Sequence, residues 1–309
     1  MNIGIVVSNL AEIFAMIAVG FFVGRTRLLS DRASADFTAF LMKVTLPCTV
    51  FSSMIREYDS SLIRDSLLIF VLGIVFFGGG MLLNLRVSRW LRVPEAKRGV
   101  WVLSVSLCNI GFMGFPLIQA IFGDDGLFLA SIMNLAYNMV AFSLGAKIIC
   151  GNGEQKAEIQ WKKILFTNVH AAVVRGLICF LGQITPPEQV MDVVGAFAGI
   201  TTPLSMALIG RSLAGGKRSE VFRDREVLSI TGMRLIVMPL LAVLLLHTLP
   251  LPAGSILTGV GTVILAMPCP SVSMMLAQQY GADVELAARA IFLSSLCCIV
   301  TIPLMMLLI

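Results

Sequence analysis

With 309 residues, 57% hydrophobic and 13% charged, the chain is too apolar for a soluble domain, in which about a quarter of residues carry charge. Its mean hydropathy of +0.91 and its length suit ten spans of about 20 residues with short connections, and no polar stretch is long enough for a separate soluble or nucleotide-binding domain. The net charge of +5 calls for no nucleic-acid partner, because the basic residues follow a membrane pattern.

In chain order, the first predicted element is Ile5–Gly24, which has no basic leader ahead of it and reads as a retained helix rather than a cleaved signal. Ala35–Met54, Ser66–Trp90, Gly99–Phe122 and Leu127–Ile149 complete a first set of five, residues 1–149. A charged linker, residues 150–163, leads to a second set over 164–309: Ile164–Ile184, Met191–Leu213, Val227–Leu249, Gly254–Gln279 and Glu285–Leu308. Arg25, Arg27 and Arg32 follow the first span, and Arg86, Arg89, Arg92, Lys97 and Arg98 follow the third. Lys147, Lys156, Lys162 and Lys163 follow the fifth; Arg211, Lys217, Arg218, Arg223 and Arg225 follow the seventh. The alternate loops hold mainly Asp and Glu. By the positive-inside rule the basic loops are cytoplasmic, which puts both termini outside.

Two spans are interrupted. Span four is broken by Asn109-Ile110-Gly111 and again by Gly114-Phe115-Pro116; span nine is broken by Met267-Pro268-Cys269-Pro270. Pro268 and Pro270 lack an N–H and clash with the preceding turn, while Gly111 permits unusual φ and Asn109 brings a donor and an acceptor. A broken helix at bilayer depth is tolerated only where protein or a water-filled cavity receives its free backbone groups. A matched pair in two halves of one chain is the sequence pointer to a secondary transporter's substrate site. The halves also share landmarks: Pro47 and Pro203 stand 156 residues apart, Gly123 and Gly281 158. Five spans per copy is odd, so the copies cross the membrane in opposite senses. Each half-helix N-terminus offers free N–H groups and a positive dipole end, suited to a carboxylate. Two proline kinks that merely bend packed helices are the simpler alternative; matched positions and a polar Asn weigh against it.

Glu12, Lys43, Arg175 and Arg234 fall within apolar spans, where a charge costs about 2.5–3.5 kcal/mol on insertion scales. Two readings stand open for Glu12: a functional one, binding a coupling proton, and a structural one, in which it hydrogen-bonds a neighbouring helix or snorkels outward. For Arg175 a structural ion pair is expected. Gly20/Gly24 and Gly195/Gly199 are G-x-x-x-G pairs that suit close helix contact. The seven cysteines form no C-x-x-C pair and there are two histidines, so neither a metal centre nor a cofactor is expected. GRSLAGGK (Gly210–Lys217) misses the phosphate-loop spacing, so transport must draw on a gradient. No His/Asp/Ser constellation flanks either break, which argues against an enzyme.

The run SLCNIGFMGFPLIQAIFGDDGL from Ser106 resembles the fourth helix of the auxin efflux carrier family, an Asn and a Gly followed by G-x-P-L. FLMKVTLPCTVFSSM (Phe40–Met54), ITTPLSMALIGRSL (Ile200–Leu213), MRLIVMPLLA (Met233–Ala242) and MPCPSVSMMLAQQYGADVELA (Met267–Ala287) are similar to its second, seventh, eighth and ninth helices, the last running into the tenth. The resemblance covers essentially the whole chain, without the long central loop of plant members, and so suits bacterial members. It implies an all-α membrane protein of ten transmembrane helices in two inverted five-helix repeats, with helices four and nine broken and crossed (NhaA-like, bile-acid-symporter-like). Spans one, two, six and seven would form a scaffold and homodimer contact; spans three to five and eight to ten would carry the substrate by elevator-like movement in a bacterial inner membrane.

The same resemblance implies a small organic anion as substrate, auxin-like or malonate- or malate-like. Asn109 matches the crossover Asn that meets the carboxylate and Pro268 the crossover Pro, with Ile110, Gly111, Pro116, Cys269 and Pro270 beside them. Ser52, Ser53, Asn134, Tyr137 and Asn138 lie where relatives line the pocket, and Lys43 and Arg234 match basic positions of the family, with pairing to helix C-termini or carboxyls, or attraction of the anion, as their open roles. The breaks are poor in oxygen ligands, so proton coupling or facilitated diffusion fits better than Na⁺. A sodium-coupled bile-acid-type carrier and a non-transporting receptor on the same fold are the alternatives.

Overall fold

A computed structural model describes residues 3–151, 167–215, 221–248 and 255–306. Most of the linker over 150–163 and the first residues expected in span six therefore lie outside the described residues. Those described are helical, with no β-strand among them. The helices are α1 (Ile3–Arg25), α2 (Asp31–Met54), α3 (Ser60–Trp90), α4 (Glu95–Ser106), α5 (residues 110–122) and α6 (residues 124–150). They continue as α7 (Asn168–Gly182), α8 (Glu188–Gly215), α9 (residues 225–248), α10 (Ile256–Leu265), α11 (Ser271–Tyr280) and α12 (Val284–Met306). Among the described residues six helical stretches are long and apolar enough to cross a bilayer, while α7 and α10 are apolar but shorter. The chain is a multi-pass membrane protein.

Five wide π turns interrupt these helices, at Leu41–Thr45, Val75–Gly79, Ile110–Gly114, Ala141–Gly145 and Met233–Val237. Three of them end two residues before a proline: Pro47, Pro116 and Pro239. Proline cannot donate to the carbonyl four residues back and its ring crowds that carbonyl, so a locally widened turn relieves the clash. The carbonyl released by Pro47 is that of Lys43, and the Asn168 side-chain amide donates to it at 3.0 Å. The same relief corrects one expectation. No second interruption forms at Gly114-Phe115-Pro116, because the wide turn passes straight into α-helix at Phe115. The helix instead stops at Gly123, whose φ of 63° and ψ of −155° separate α5 from α6.

Contacts divide the chain into two compact units. The first comprises residues 1–68, 111–132 and 165–216, the second 69–110, 133–164 and 217–309. In the first, α1 lies along α8 at backbone contact: a Cβ at Gly20 would meet the Ala207 carbonyl oxygen at 2.1 Å, and one at Gly210 the Ile17 carbonyl at 1.9 Å. Small residues are what let two helix backbones approach this closely. Gly195 and Gly199 have nothing within 4 Å of their missing Cβ positions, so the expected close contact at that pair is not made inside the chain. α2 joins α8 through the buried hydroxyls of Thr49 and Thr201, 2.6 Å apart, and Gly176 of α7 receives the Met54 side chain of α2.

In the second unit, Asp224 caps the N-terminus of α9, accepting from the Glu226 and Val227 amides at 3.0 and 3.2 Å, and reaches Arg289 of α12 at 3.3 Å. It sits just outside the apolar stretch that begins at Arg225. Burial alone would raise its pKa; the bonds to Val227 and Glu226 and the nearby Lys97 charge outweigh that and hold it below the ordinary value. A carboxyl lowered on folding contributes stability above the unfolded pKa, about 3.9, which is lost as pH falls through the folded value. Unfolding midpoints measured from pH 7 to pH 3 should therefore drop more steeply for the native chain than for Asp224→Asn below about pH 4. At neutral pH Asp224→Ala should cost about 1 kcal/mol from the lost cap.

Candidate functional site

The two breaks meet in the second unit. α4 ends at Ser106, and Leu107 turns extended at φ −96° and ψ 163°. α10 ends at Leu265, after which Ala266 and Met267 close the helix with bonds to Thr262 and Ile264 at 2.9 and 3.1 Å. The two unwound segments are then joined directly: the Asn109 N–H donates to the Pro268 carbonyl at 2.9 Å. Backbone donors in the second break are all accounted for, as burial demands. Pro268 and Pro270 have none, and the Cys269 N–H donates to the Ser294 hydroxyl of α12 at 3.0 Å. Two prolines thus remove two amides that unwound, buried backbone would leave unpaired.

Acceptors are satisfied by one side chain. Arg234, carried on the π turn of α9 and fully buried, donates through Nε to the Met267 carbonyl at 2.9 Å and through Nη2 to the Leu265 carbonyl at 2.8 Å. Its Nη1 reaches the Val105 carbonyl at 3.3 Å. Val105 lies in the last turn of α4 and Leu265 ends α10, so the guanidinium caps both half-helices at their negative ends. Each C-terminus carries roughly −0.5 charge, and two together balance about one buried cation. No ion pair among the described residues involves Arg234. With the C-termini held in this way, α11 starts at Ser271 behind Pro270, an N-cap that provides no side-chain bond. Its first amides and positive dipole end therefore face the break, which is the arrangement that suits an anion.

Other predicted site residues fall in different surroundings. Tyr137 of α6 is buried, packs edge-on against Phe77 at 5.3 Å, and lies with Cys108 and Cys269 within electrostatic range of Arg234. Asn134 and Asn138 are buried on the same helix, the Asn138 amide donating to the Asn134 carbonyl at 2.8 Å. Ile110 belongs to the second unit, whereas Gly111, Pro116, Ser52 and Ser53 belong to the first. Ser53 is buried and its hydroxyl donates within α2 to Val50 at 2.8 Å. Glu12 is exposed on α1.

Lys43 and Arg175 share a cavity of about 480 Å³ in the first unit with Pro47, Cys48, Phe51 and Asn168. The ion pair expected for Arg175 is absent among the described residues; α7 brings it beside a second cation instead. Ser294 and the buried Asn84, whose amide donates to Ser106 at the end of α4 at 3.0 Å, support the breaks and carry no signal in the sequence. Both are single polar residues in apolar helices, without a motif to mark them.

A family model described as membrane transport protein matches residues 5–306. The chain is 25% identical over 296 residues to an uncharacterized transporter of Methanothermobacter thermautotrophicus, covering 95% of each. It is 23% identical over 288 residues to the uncharacterized transporter MJ1031 of Methanocaldococcus jannaschii, covering 92% of each. Over 146 residues, 46% of either chain, it is 24% identical to the uncharacterized transporter YfdV of Escherichia coli K12.

Proposed function

The chain belongs to the membrane transport protein family, the auxin efflux carriers, and on that premise we propose that it carries a small organic anion down or against a gradient by alternating access. It is a transporter rather than an enzyme. The carboxylate would sit at the crossing of the two broken segments, met by Asn109 and by the N-terminal end of α11. The observation that carries this reading is the hydrogen-bond accounting at the break. Arg234 occupies the C-terminal carbonyls of both incoming half-helices, so the electropositive end of α11 is the one turned to a ligand. Ten spans in two inverted five-span repeats, with spans one, two, six and seven as scaffold and the others as the moving part, fit the doubled break and the basic loops. The same loops favour both termini outside a bacterial inner membrane, and a homodimer is the arrangement the family resemblance suggests.

The test is uptake of a panel of labelled carboxylates, aromatic acids and short dicarboxylates included, into proteoliposomes with imposed pH or Na⁺ gradients. Saturable uptake of one acid is expected, driven by the pH gradient rather than by Na⁺. Asn109→Ala should lower that uptake at least tenfold while membrane insertion and unfolding midpoint stay unchanged. Unaltered uptake in that variant would remove Asn109 from the site, and saturable binding without flux would assign the fold to sensing.

A further inference from the structure

A second cavity lies in the second unit, away from the breaks, where the last turns of α3, α6 and α11 come together with the first turn of α4. It measures about 660 Å³, and its walls include Arg89, Arg98, Lys147, Glu95 and Tyr280. Three cations against one carboxylate leave a net charge of +2. Neither Arg89 nor Lys147 has a carboxylate within ion-pair distance among the described residues. These two stand in the last turns of their helices, where a cation is favoured by the dipole alone, so by themselves they would ask for no ligand. Arg98 breaks that account. It stands in the first turn of α4, where the dipole disfavours a cation. Its Nη2 makes one long bond to the Val93 carbonyl at 3.3 Å, and its Nε is buried without a partner.

We propose that this cavity binds a phosphate-bearing anion. A phosphate group carries up to two negative charges, matching the cavity's balance, and its tetrahedral oxygens point in several directions at once. Cations reaching in from three separate chain segments can each meet one of those oxygens, which a planar carboxylate of two oxygens does not allow. Arginine forks suit phosphate in bidentate fashion, and the start of α4, where Pro94 provides no side-chain cap, adds to the same field. The volume falls in the range of about 300–1,000 Å³ typical of ligand pockets, well beyond the needs of a bare inorganic ion, so the phosphate arrives attached to a larger body. By the positive-inside rule each contributing segment end would belong to the side of the basic loops, at the level of the lipid headgroups. An anionic phospholipid and a soluble phosphoester share the recognising chemistry.

Native mass spectrometry and thermal unfolding of the full chain in neutral detergent would separate these sources. The probes are phosphatidic acid, phosphatidylcholine with the same acyl chains, and glycerol phosphate. Saturable binding of phosphatidic acid but not phosphatidylcholine is expected, weakened at least tenfold in Arg98→Gln and several-fold in Arg89→Gln. Arg92→Gln, which removes a charge from the same loop outside the cavity, should leave it unchanged. Equal binding of glycerol phosphate would assign a soluble phosphoester and support the site equally. The proposal is overturned by absence of saturable binding of both phosphate probes, or by binding that Arg89→Gln and Arg98→Gln leave as tight as before. Should Arg98→Gln fail to fold, Arg89→Gln decides alone, since that side chain is exposed and unpartnered. The readout is binding and not flux, so its failure is distinct from failure of the transport reading.

Discussion

Arg234→Leu should be among the most damaging single changes in this protein, and the damage should appear first as lost stability. The substitution leaves the carbonyls of Val105, Leu265 and Met267 without their donor, in a place where the guanidinium itself is fully buried. Removing one member of a buried charged arrangement typically costs about 3–5 kcal/mol, and each orphaned acceptor about 1–3. The unfolding midpoint in detergent should fall on the order of 10 °C, with reduced yield from membranes. Arg234→Lys retains the charge at the two helix ends but has no planar fork to reach three carbonyls, so it should recover part of the loss. A different role would give a different pattern. Were Arg234 the counter-ion of the substrate, Arg234→Leu would keep its midpoint and lose only carboxylate binding. Stability unchanged in both variants would therefore end the capping account.

This contrast explains what the sequence could reveal of the site. The breaks were legible because proline, glycine and asparagine act locally: each changes the backbone where it stands, and Pro268 and Pro270 announce an unwound stretch without reference to anything distant. Arg234 is visible as a charge in an apolar span, and helix C-termini are among the roles open to it, but the particular carbonyls it meets are not legible. They are backbone carbonyls 129, 33 and 31 residues away, and every residue has a carbonyl. Ser294 was hidden for the same reason, its partner being the amide of Cys269 25 residues before it. Arg175 and Lys43 lie far apart in the chain, and only the packing of α7 against α2 brings them to one cavity. Pro116 shows the opposite error. A proline in a helix reads as a break, whereas a π turn just ahead of it takes up the strain.

Glycine spacing is the sharpest example, because the sequence shows which residues are small but not which face meets a neighbour. Gly210→Ala and Gly195→Ala should shift stability in opposite directions. Alanine is favoured over glycine within a helix by about 1 kcal/mol, so both variants start with the same small gain. At Gly195 nothing stands within 4 Å of the new methyl, and that gain should survive as a slightly raised midpoint. At Gly210 the methyl would lie 1.9 Å from the Ile17 carbonyl oxygen and 2.7 Å from the Phe21 amide nitrogen. Both are backbone atoms of α1 and neither can rotate aside, so the whole helix must retreat. Overpacking of flexible cores costs typically about 1–3 kcal/mol, and a rigid backbone contact belongs at the upper end or beyond, which outweighs the propensity gain. Gly20→Ala meets the Ala207 carbonyl at 2.1 Å and should behave alike. The double variant should fall well short of the sum, since helices already forced apart by one methyl leave room for the other. Thermal unfolding of the native chain and the four variants checks this. A Gly210→Ala midpoint at or above that of the native chain would mean α1 and α8 do not touch at backbone distance, and a sub-additive double would show that both glycines serve one contact.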